Sequence, residues 1–95
     1  MPRRRYLIAY DIADPRRLRH VCTLMEDHGR RLQYSVFVCD LSPAELAELE
    51  AAVTRTIDLT ADSIVRIDLG DTTSPATITT IGSRRRFPPT GPQIV

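Results

Sequence analysis

The chain has 95 residues, 42% of them hydrophobic and 26% charged, and a formal net charge of +1; these values are ordinary for one soluble globular domain and leave no room for two cores. A domain this small buries only about 60–65% of the surface that its unfolded chain exposes, so dimerisation would add to its stability. No apolar run approaches the ~20 residues of a membrane-spanning helix, and the first apolar run ends at Asp11, which argues against a membrane span and against a secretion signal. Two cysteines without a CxxC motif argue against a zinc site and favour reduced thiols in a cytoplasmic protein.

The first predicted strand covers residues 6–12, an almost continuous apolar run with β-branched and aromatic members. Such a run is typical of a central strand that is covered on both sides or lies at a subunit interface. Asp14 and Pro15 follow as an N-cap and a proline at the first helical position, and Gly29 is a suitable stop, so we predict a helix over 15–28. Its apolar side chains form one stripe at helical spacing: Leu18, Val21, Cys22 and Met25.

Residues 32–40 alternate between two sets of side chains and predict a single second strand. Residues 42–45, Ser-Pro-Ala-Glu, form a capping-box pattern that begins a second helix, and we expect this helix to run to about residue 55. The two cysteines fall on apolar patterns of the first helix and the second strand, so we expect both to lie in the core.

Two further strands are predicted over residues 63–69 and 76–81, with a turn at 70–71 between them. The resulting order is strand, helix, strand, helix, strand, strand. Either the turn signals at 70–75 make a hairpin after the second helix, or the last strand belongs elsewhere. The composition indicates one layer of helices on a sheet, and the exposed face of that sheet is the natural dimer surface.

A change in composition divides the chain into a domain over residues 1–82 and a tail over 83–95. The tail begins with Arg84, Arg85 and Arg86, continues rich in proline, and ends on Ile94 and Val95. A free tail is usually polar throughout. The apolar end therefore predicts a short strand that docks on a partner subunit.

All thirteen basic residues are arginines, and they are clustered along the chain. The guanidinium group is a planar fork of donors that suits phosphate. The clusters are therefore candidates for contacts with a nucleic-acid backbone, although solvated surface arginines in a chain that uses no lysine explain any one cluster equally well. The main clusters are residues 3–5, 16–19, 30–31 and 84–86.

Asp11 is the most informative single residue, because a carboxylate at the end of an apolar strand is costly to bury without a partner. It either caps the following turn or faces a polar cleft where it accepts hydrogen bonds or holds a cation. Mg²⁺ uses one or two carboxylates and completes its shell with water and phosphate. A two-fold dimer with the first strand near its axis would bring two copies of Asp11 together. His20 and His28 lie on the first helix and are expected to be surface or cap residues.

Arg16, Arg17 and Arg19 lie in the first turns of the first helix, where positive charge opposes the helix dipole. Residues that break a local rule often serve a ligand. Arginine forks beside a helix N-terminus predict a site for a phosphate anion. The alternative is a set of exposed arginines that the helix tolerates at little cost.

Two segments resemble a known family. Residues 10–12, Tyr-Asp-Ile, followed by residues 14–19, Asp-Pro-Arg-Arg-Leu-Arg, are similar to the first strand and helix of the CRISPR-associated endoribonuclease family, the partner of the CRISPR integrase in spacer acquisition. Gly29 and residues 31–37, Arg-Leu-Gln-Tyr-Ser-Val-Phe, are similar to its second-strand signature. The resemblance covers roughly residues 6–82. It implies an α+β, ferredoxin-like sandwich, an antiparallel sheet with two helices on one face, and a homodimer through the sheet face.

The resemblance also implies roles for individual residues. Asp11 would be the catalytic, metal-binding carboxylate, one from each subunit, with Mg²⁺ as the cofactor and Mn²⁺ as an alternative. Ile94 and Val95 would correspond to the tail strand that docks on the partner subunit. Together with Arg16 from the helix argument, the residues expected to bind nucleic acid are Tyr10, Arg17, Arg19, Arg31, Ser35 and Phe37.

The function implied is that of a metal-dependent endoribonuclease or endonuclease in CRISPR adaptation, a homodimer that binds single-stranded RNA or double-stranded DNA and bridges the integrase in the cytoplasm. A second hypothesis is a DNA-binding scaffold of the same complex that cuts nothing. A third is a toxin-like ribonuclease of the related virulence-associated family. A fourth, a ferredoxin-like domain that binds a small regulatory ligand, is disfavoured by the arginine clusters and the lack of a glycine-rich loop.

Overall fold

A computed structural model describes residues 2–82 of the chain. It contains a four-stranded sheet in the order β2-β3-β1-β4, in which every neighbouring pair is antiparallel. Two helices lie between strands in the order β-α-β-β-α-β, which is the ferredoxin-like order. The elements are β1 (Arg4–Asp11), α1 (Pro15–His28), β2 (Arg30–Gln33), β3 (Val36–Leu41), α2 (Pro43–Thr56) and β4 (Ser63–Asp71).

The segment predicted as one strand over residues 32–40 is a hairpin, so that prediction was wrong. Strands β2 and β3 are joined by a turn at Tyr34 and Ser35, with a register shift between Arg31 and Gln33. The turn contains no glycine, proline or asparagine, and the alternation of side chains continues through it, so its single serine was too weak a turn signal to predict it. The hairpin supplies the strand that restores the ferredoxin-like order.

The fourth strand predicted over residues 76–81 does not form in the described part of the chain, so this prediction was also wrong. Within residues 2–82, the segment pairs with no strand along its length. The Ala76 N–H donates a hydrogen bond to the Leu69 carbonyl of β4 at 2.8 Å. β4 instead runs on to Asp71 through Gly70, which has a φ of 101°. The β-branched composition of 76–81 predicted extended backbone, but a strand also needs a neighbour with which to pair.

Both predicted helices are confirmed, with their caps. The Asp14 carboxylate accepts a hydrogen bond from the Arg17 N–H at 2.9 Å. Ser42 and Glu45 make the reciprocal bonds of a capping box. α1 ends at Gly29, which is extended (φ −164°) rather than left-handed.

Gly29 is required by a close approach between helix and sheet. A Cβ at this position would overlap the Cys39 Sγ and would lie 2.5 Å from the Val38 carbonyl oxygen. Glycine therefore lets the end of α1 rest directly on β3. Cys39 is buried at this contact and Cys22 is buried on α1, as the sequence predicted.

The two faces of the sheet differ in what covers them. The face that packs against the helices carries Tyr6, Ile8 and Tyr10 from β1, and these side chains belong to one core cluster with apolar residues of both helices. The strand register places the alternate residues on the opposite face, where Val65 and Ile67 are 55% and 49% exposed. We call this opposite, apolar surface the open face; its apolar members are Leu7, Ala9, Val36, Val65 and Ile67, with Val38 on the same face but buried.

Neither helix in residues 2–82 is long and apolar enough to cross a lipid bilayer.

Candidate functional site

Asp11 is the last residue of β1 and is exposed. Its backbone pairs with Ser63 at the start of β4, and strand alternation places its side chain on the open face with Leu7 and Ala9. Among residues 2–82, no cluster of three or more histidine, cysteine, aspartate or glutamate side chains could hold a metal ion. A divalent cation at Asp11 would therefore take its remaining ligands from water, from phosphate or from a second copy of the chain.

The sequence-predicted residues converge on one end of the sheet, which we call the Asp11 end. β3 begins there, because Val36 pairs with Ala9, and the Tyr10 N–H donates to the Ser35 carbonyl across a distance of 3.0 Å. The first turn of α1 follows Asp11 after a loop of three residues, 12–14. The structure thus brings Asp11, the half-buried Ser35 and the start of α1 to the Asp11 end of the sheet.

The three arginines at the start of α1 differ in their surroundings. Arg16 is exposed and Arg19 is partly exposed. Arg17 lies against Asp62, to which its Nε and Nη2 donate hydrogen bonds of 2.8 and 3.2 Å, while 29% of its side chain remains exposed. The N–H of Arg17 also lowers the pKa of the Asp14 carboxyl. Binding of phosphate by these arginines stays a prediction.

Asp62 is a site residue that the sequence analysis missed. Its side chain is 0% exposed, and its carboxylate accepts hydrogen bonds from the Ala13 N–H at 2.8 Å and the Asp58 N–H at 2.9 Å, besides those from Arg17. The pKa of Asp62 is held far below its ordinary value, first by the Arg17 hydrogen bonds and then by the Ala13 N–H. In the sequence Asp62 is one of four aspartates over residues 58–71, and the one local signal was its position directly before a strand.

Tyr10 and Phe37 are core residues. Phe37 is 0% exposed and Tyr10 is 6% exposed, and their rings stack with centroids 6.2 Å apart. The Tyr10 hydroxyl donates to the Tyr34 carbonyl at 3.2 Å and lies 2.9 Å from the Cys22 Sγ. Burial raises the pKa of Tyr10 well above its ordinary value, so this phenol stays protonated. Direct stacking of either ring on a base would require the core to open.

Arg31 extends from β2 towards this aromatic pair. Its Cζ lies 5.2 Å from the centroid of the Phe37 ring, and its guanidinium nitrogens are buried. A cation over an aromatic face is stabilised by the ring quadrupole. Phe37 and Tyr10 therefore support Arg31, and a role of all three in nucleic-acid binding stays a prediction.

The arginines at the other end of β1 are occupied by carboxylates. Arg4 and Arg5 make two hydrogen bonds each, to Asp68 and Asp40, and Arg3 contacts Glu45. Arg84, Arg85 and Arg86, with the predicted docking strand of Ile94 and Val95, lie outside the described residues.

Comparison with known proteins gives one consistent family. The family model described as CRISPR associated protein Cas2 matches residues 4–75. A protein of Synechocystis named CRISPR-associated endoribonuclease Cas2 3 is 42% identical over 59 residues, 62% of this chain and 64% of that protein. One of Nitratidesulfovibrio vulgaris, named CRISPR-associated endoribonuclease Cas2, is 34% identical over 94% of this chain and 91% of its own length. The chain thus spans less than two thirds of the first relative and most of the second.

Solved structures share the fold. Streptococcus pyogenes Cas2 at pH 6.5 superposes with a TM-score of 0.66 and 39% identity, over 70% of this chain and 86% of that one. A hypothetical protein of Thermus thermophilus superposes with a TM-score of 0.77 and 28% identity, over 88% and 96% of the two chains. The α+β, ferredoxin-like sandwich with an antiparallel sheet and two helices is therefore confirmed.

Proposed function

We propose a function for this chain from its family and its site. The chain belongs to the Cas2 family of CRISPR-associated proteins. It is an endonuclease of CRISPR adaptation that cuts phosphodiester bonds, with Asp11 as its catalytic carboxylate. Relatives bear the name endoribonuclease, and one from Thermus thermophilus bears the name endonuclease. The observation that carries the proposal is the position of Asp11, an exposed carboxylate at the end of the central strand β1, separated by three loop residues from the arginine-rich start of α1.

The chemistry follows from this arrangement. Asp11 would hold Mg²⁺, or Mn²⁺ in its place, and the ion when bound supplies a Lewis acid that lowers the pKa of a water near the phosphodiester. Arg16, Arg17 and Arg19 bind and orient the phosphate, and the N-terminal dipole of α1 favours the same anion. Phosphate contacts of this kind carry no sequence information. Single-stranded RNA and double-stranded DNA are both candidate substrates.

A homodimer through the open face completes the site. The face exposes Val65 and Ile67 beside Leu7 and carries Asp11 at its end, and a contiguous apolar surface of this kind is typical of an interface. An isologous pairing whose two-fold axis passes close to the Asp11 end of β1 would place two Asp11 carboxylates near each other and give a cation the second ligand that one chain lacks. Within the cytoplasm, the dimer would bridge the CRISPR integrase, and the tail over 83–95 would dock on the partner subunit.

A second candidate is a scaffold that binds DNA and the integrase without cutting. It is favoured by the single carboxylate of the site, because the described residues hold no acidic cluster for a metal. Binding of backbone phosphate by the arginines at the start of α1 would then be the whole function.

The deciding experiment is cleavage of labelled single-stranded RNA and double-stranded DNA with and without Mg²⁺ or Mn²⁺. Wild type, Asp11→Asn and the control Asp27→Asn, which changes an exposed carboxylate on α1, are purified in parallel to exclude a contaminating nuclease. We expect metal-dependent cutting by wild type and control that Asp11→Asn abolishes. Equal cutting by all three proteins, or cutting by none of them, would refute the nuclease and leave the DNA-binding scaffold as the proposed function.

The dimer is tested by sedimentation equilibrium of wild type and Ile67→Glu. A charge at this exposed position of β4 leaves the core untouched but would be buried without a partner in the interface. We expect a dimer for wild type and a monomer for the variant. A wild-type monomer at all concentrations would contradict the shared site.

A further inference from the structure

We propose that Asp62 is a positioning residue of the Asp11 site, which fixes the loop behind Asp11 and orients Arg17 towards substrate phosphate. The inference rests on the proposed function and extends it to a residue that touches neither the cation nor the reacting atoms. The buried carboxylate of Asp62 joins two elements of the site, the loop after Asp11 and the start of α1.

The first contact holds the loop that follows the catalytic carboxylate. The Ala13 N–H, two residues beyond Asp11, donates to the Asp62 Oδ1 at 2.8 Å. Ser63, the next residue after Asp62, is the strand partner of Asp11. The backbone of Asp11 is therefore held by strand pairing at its own position and by Asp62 two residues later, so its side chain leaves the sheet at a fixed place.

The second contact orients Arg17. The Asp62 carboxylate accepts hydrogen bonds from the Nε and Nη2 of the Arg17 guanidinium. This is the bidentate geometry that fixes the plane of an arginine fork. This edge of the guanidinium meets a carboxylate whose side chain is 0% exposed, while 29% of the Arg17 side chain remains exposed. A planar group held by one edge presents its remaining N–H donors in a single direction, and preorganised donors stabilise developing charge at little reorganisation cost.

The third contact supports Asp62 itself. The Asp58 N–H donates to the Asp62 Oδ2 at 2.9 Å, which closes the loop between α2 and β4 around the carboxylate. Asp62 is thus held in place before any ligand binds. A residue that only joined two loops would not need two donors from a single arginine, Arg17, at the start of α1.

Binding is measured first, with every variant in the Asp11→Asn background so that no cleavage occurs, using a fluorescent duplex DNA and a fluorescent single-stranded RNA. Arg17→Ala and Asp62→Asn should each weaken binding by about tenfold, the effect of one charge-assisted hydrogen bond. Asparagine keeps an oxygen for the Ala13 N–H and removes the charge that holds Arg17. If Asp62 acts through Arg17, the double variant should bind within about twofold of Arg17→Ala, because contacts that act as a unit are not additive.

Arg17→Lys covers the case in which Asp62→Asn does not fold. Lysine keeps the charge and leaves Asp62 intact, but an ammonium group cannot present a fixed fork. We expect it to bind as weakly as Arg17→Ala. Wild-type affinity for the lysine variant would show that charge alone matters and would overturn the proposal.

The matched control is Asp68→Asn. Asp68 also receives two hydrogen bonds from one arginine, Arg4, and one from a backbone N–H, that of Gly70, but it lies at the opposite end of β4. It should change binding less than about twofold, as a surface ion pair remote from the ligand does. An equal loss in this control would show a general electrostatic effect and would overturn the specific role of Asp62.

Cleavage then separates this inference from the proposed function. With Asp11 restored, Asp62→Asn should lower kcat by about 10–100-fold, the usual effect of removing a group that orients a site residue, and Asp68→Asn should not. A folded Asp62→Asn that binds and cuts like wild type overturns the positioning role while the nuclease stands. A wild type that binds but does not cut refutes the nuclease, and the binding cycle still decides the role of Asp62. No binding by wild type would refute both.

Discussion

Replacing Phe37 with alanine tests whether this ring contacts nucleic acid or supports the site from within the core. The ring is 0% exposed, stacks on Tyr10 and lies under the Arg31 guanidinium. Removing a buried phenylalanine costs about 3–5 kcal/mol, and the lost cation–π contact adds about 1 kcal/mol. A domain of this size has only about 5–15 kcal/mol in total, so the variant would lose much of its stability.

The assay is urea unfolding followed by circular dichroism, at one protein concentration because the stability of the proposed dimer would depend on concentration. With a slope of about 2 kcal/mol per molar urea, a loss of about 4–6 kcal/mol moves the midpoint down by about 2–3 M. Phe37→Leu, which keeps most of the buried volume, should shift the midpoint much less and should bind nucleic acid like wild type once the folded fraction is taken into account. A Phe37→Ala protein with the wild-type midpoint and lost binding would refute the reasoning and make the ring a substrate contact.

Three further predictions concern stability and use the same urea assay. Gly29→Ala should lower the free energy of unfolding by about 1–3 kcal/mol, because the new Cβ overlaps the Cys39 Sγ and forces the end of α1 off the sheet; an unchanged midpoint would contradict this close approach. Ser42→Ala should cost about 1 kcal/mol through loss of the α2 cap, and it should leave nucleic-acid binding intact. Because Arg17 lowers the pKa of Asp62 in the folded state, the stability from this pair is present above the ordinary carboxyl pKa of about 4 and is lost as the pH falls from there towards the folded-state pKa. Urea titrations at several values between about pH 3 and 7 should show that the free energy of unfolding falls more steeply towards acid for wild type than for Asp62→Asn. Equal slopes would argue against stabilisation by the Arg17–Asp62 pair.

The sequence predicted those elements whose signals are local. Both helices were found with their caps, because Asp14 with Pro15 and Ser42 with Glu45 act within one turn of the chain. The turn at 34–35 was missed because one serine within an alternating apolar pattern is a weak turn signal. The hairpin is held instead by β1, to which the Ser35 carbonyl is hydrogen-bonded.

The candidate site was predicted in its chemistry more than in its geometry. Asp11 was recognisable because a carboxylate interrupts an apolar run, which a single sequence can show. Asp62 was not, because its role depends on Arg17 and Ala13, which lie far from it in sequence and adjacent in space. Likewise, the burial of Phe37 follows from packing between α1 and the sheet, and alternation within β3 alone does not distinguish the two faces.

The sheet order also determines when the chain can finish folding. β1 lies at the centre, and one of its neighbours, β4, is the last strand of the described chain, with Arg4 paired to Asp71. Pairing of such distant segments requires a large loop to close, which slows folding, whereas α1, β2 and β3 can associate earlier through nearby contacts. Val65 and Ile67 arrive only with β4, so a nascent chain on the ribosome lacks these two residues of the open face until β4 has been made. In the proposed homodimer, subunits would therefore recognise each other only after each has folded, which would protect the unfinished sheet from premature association.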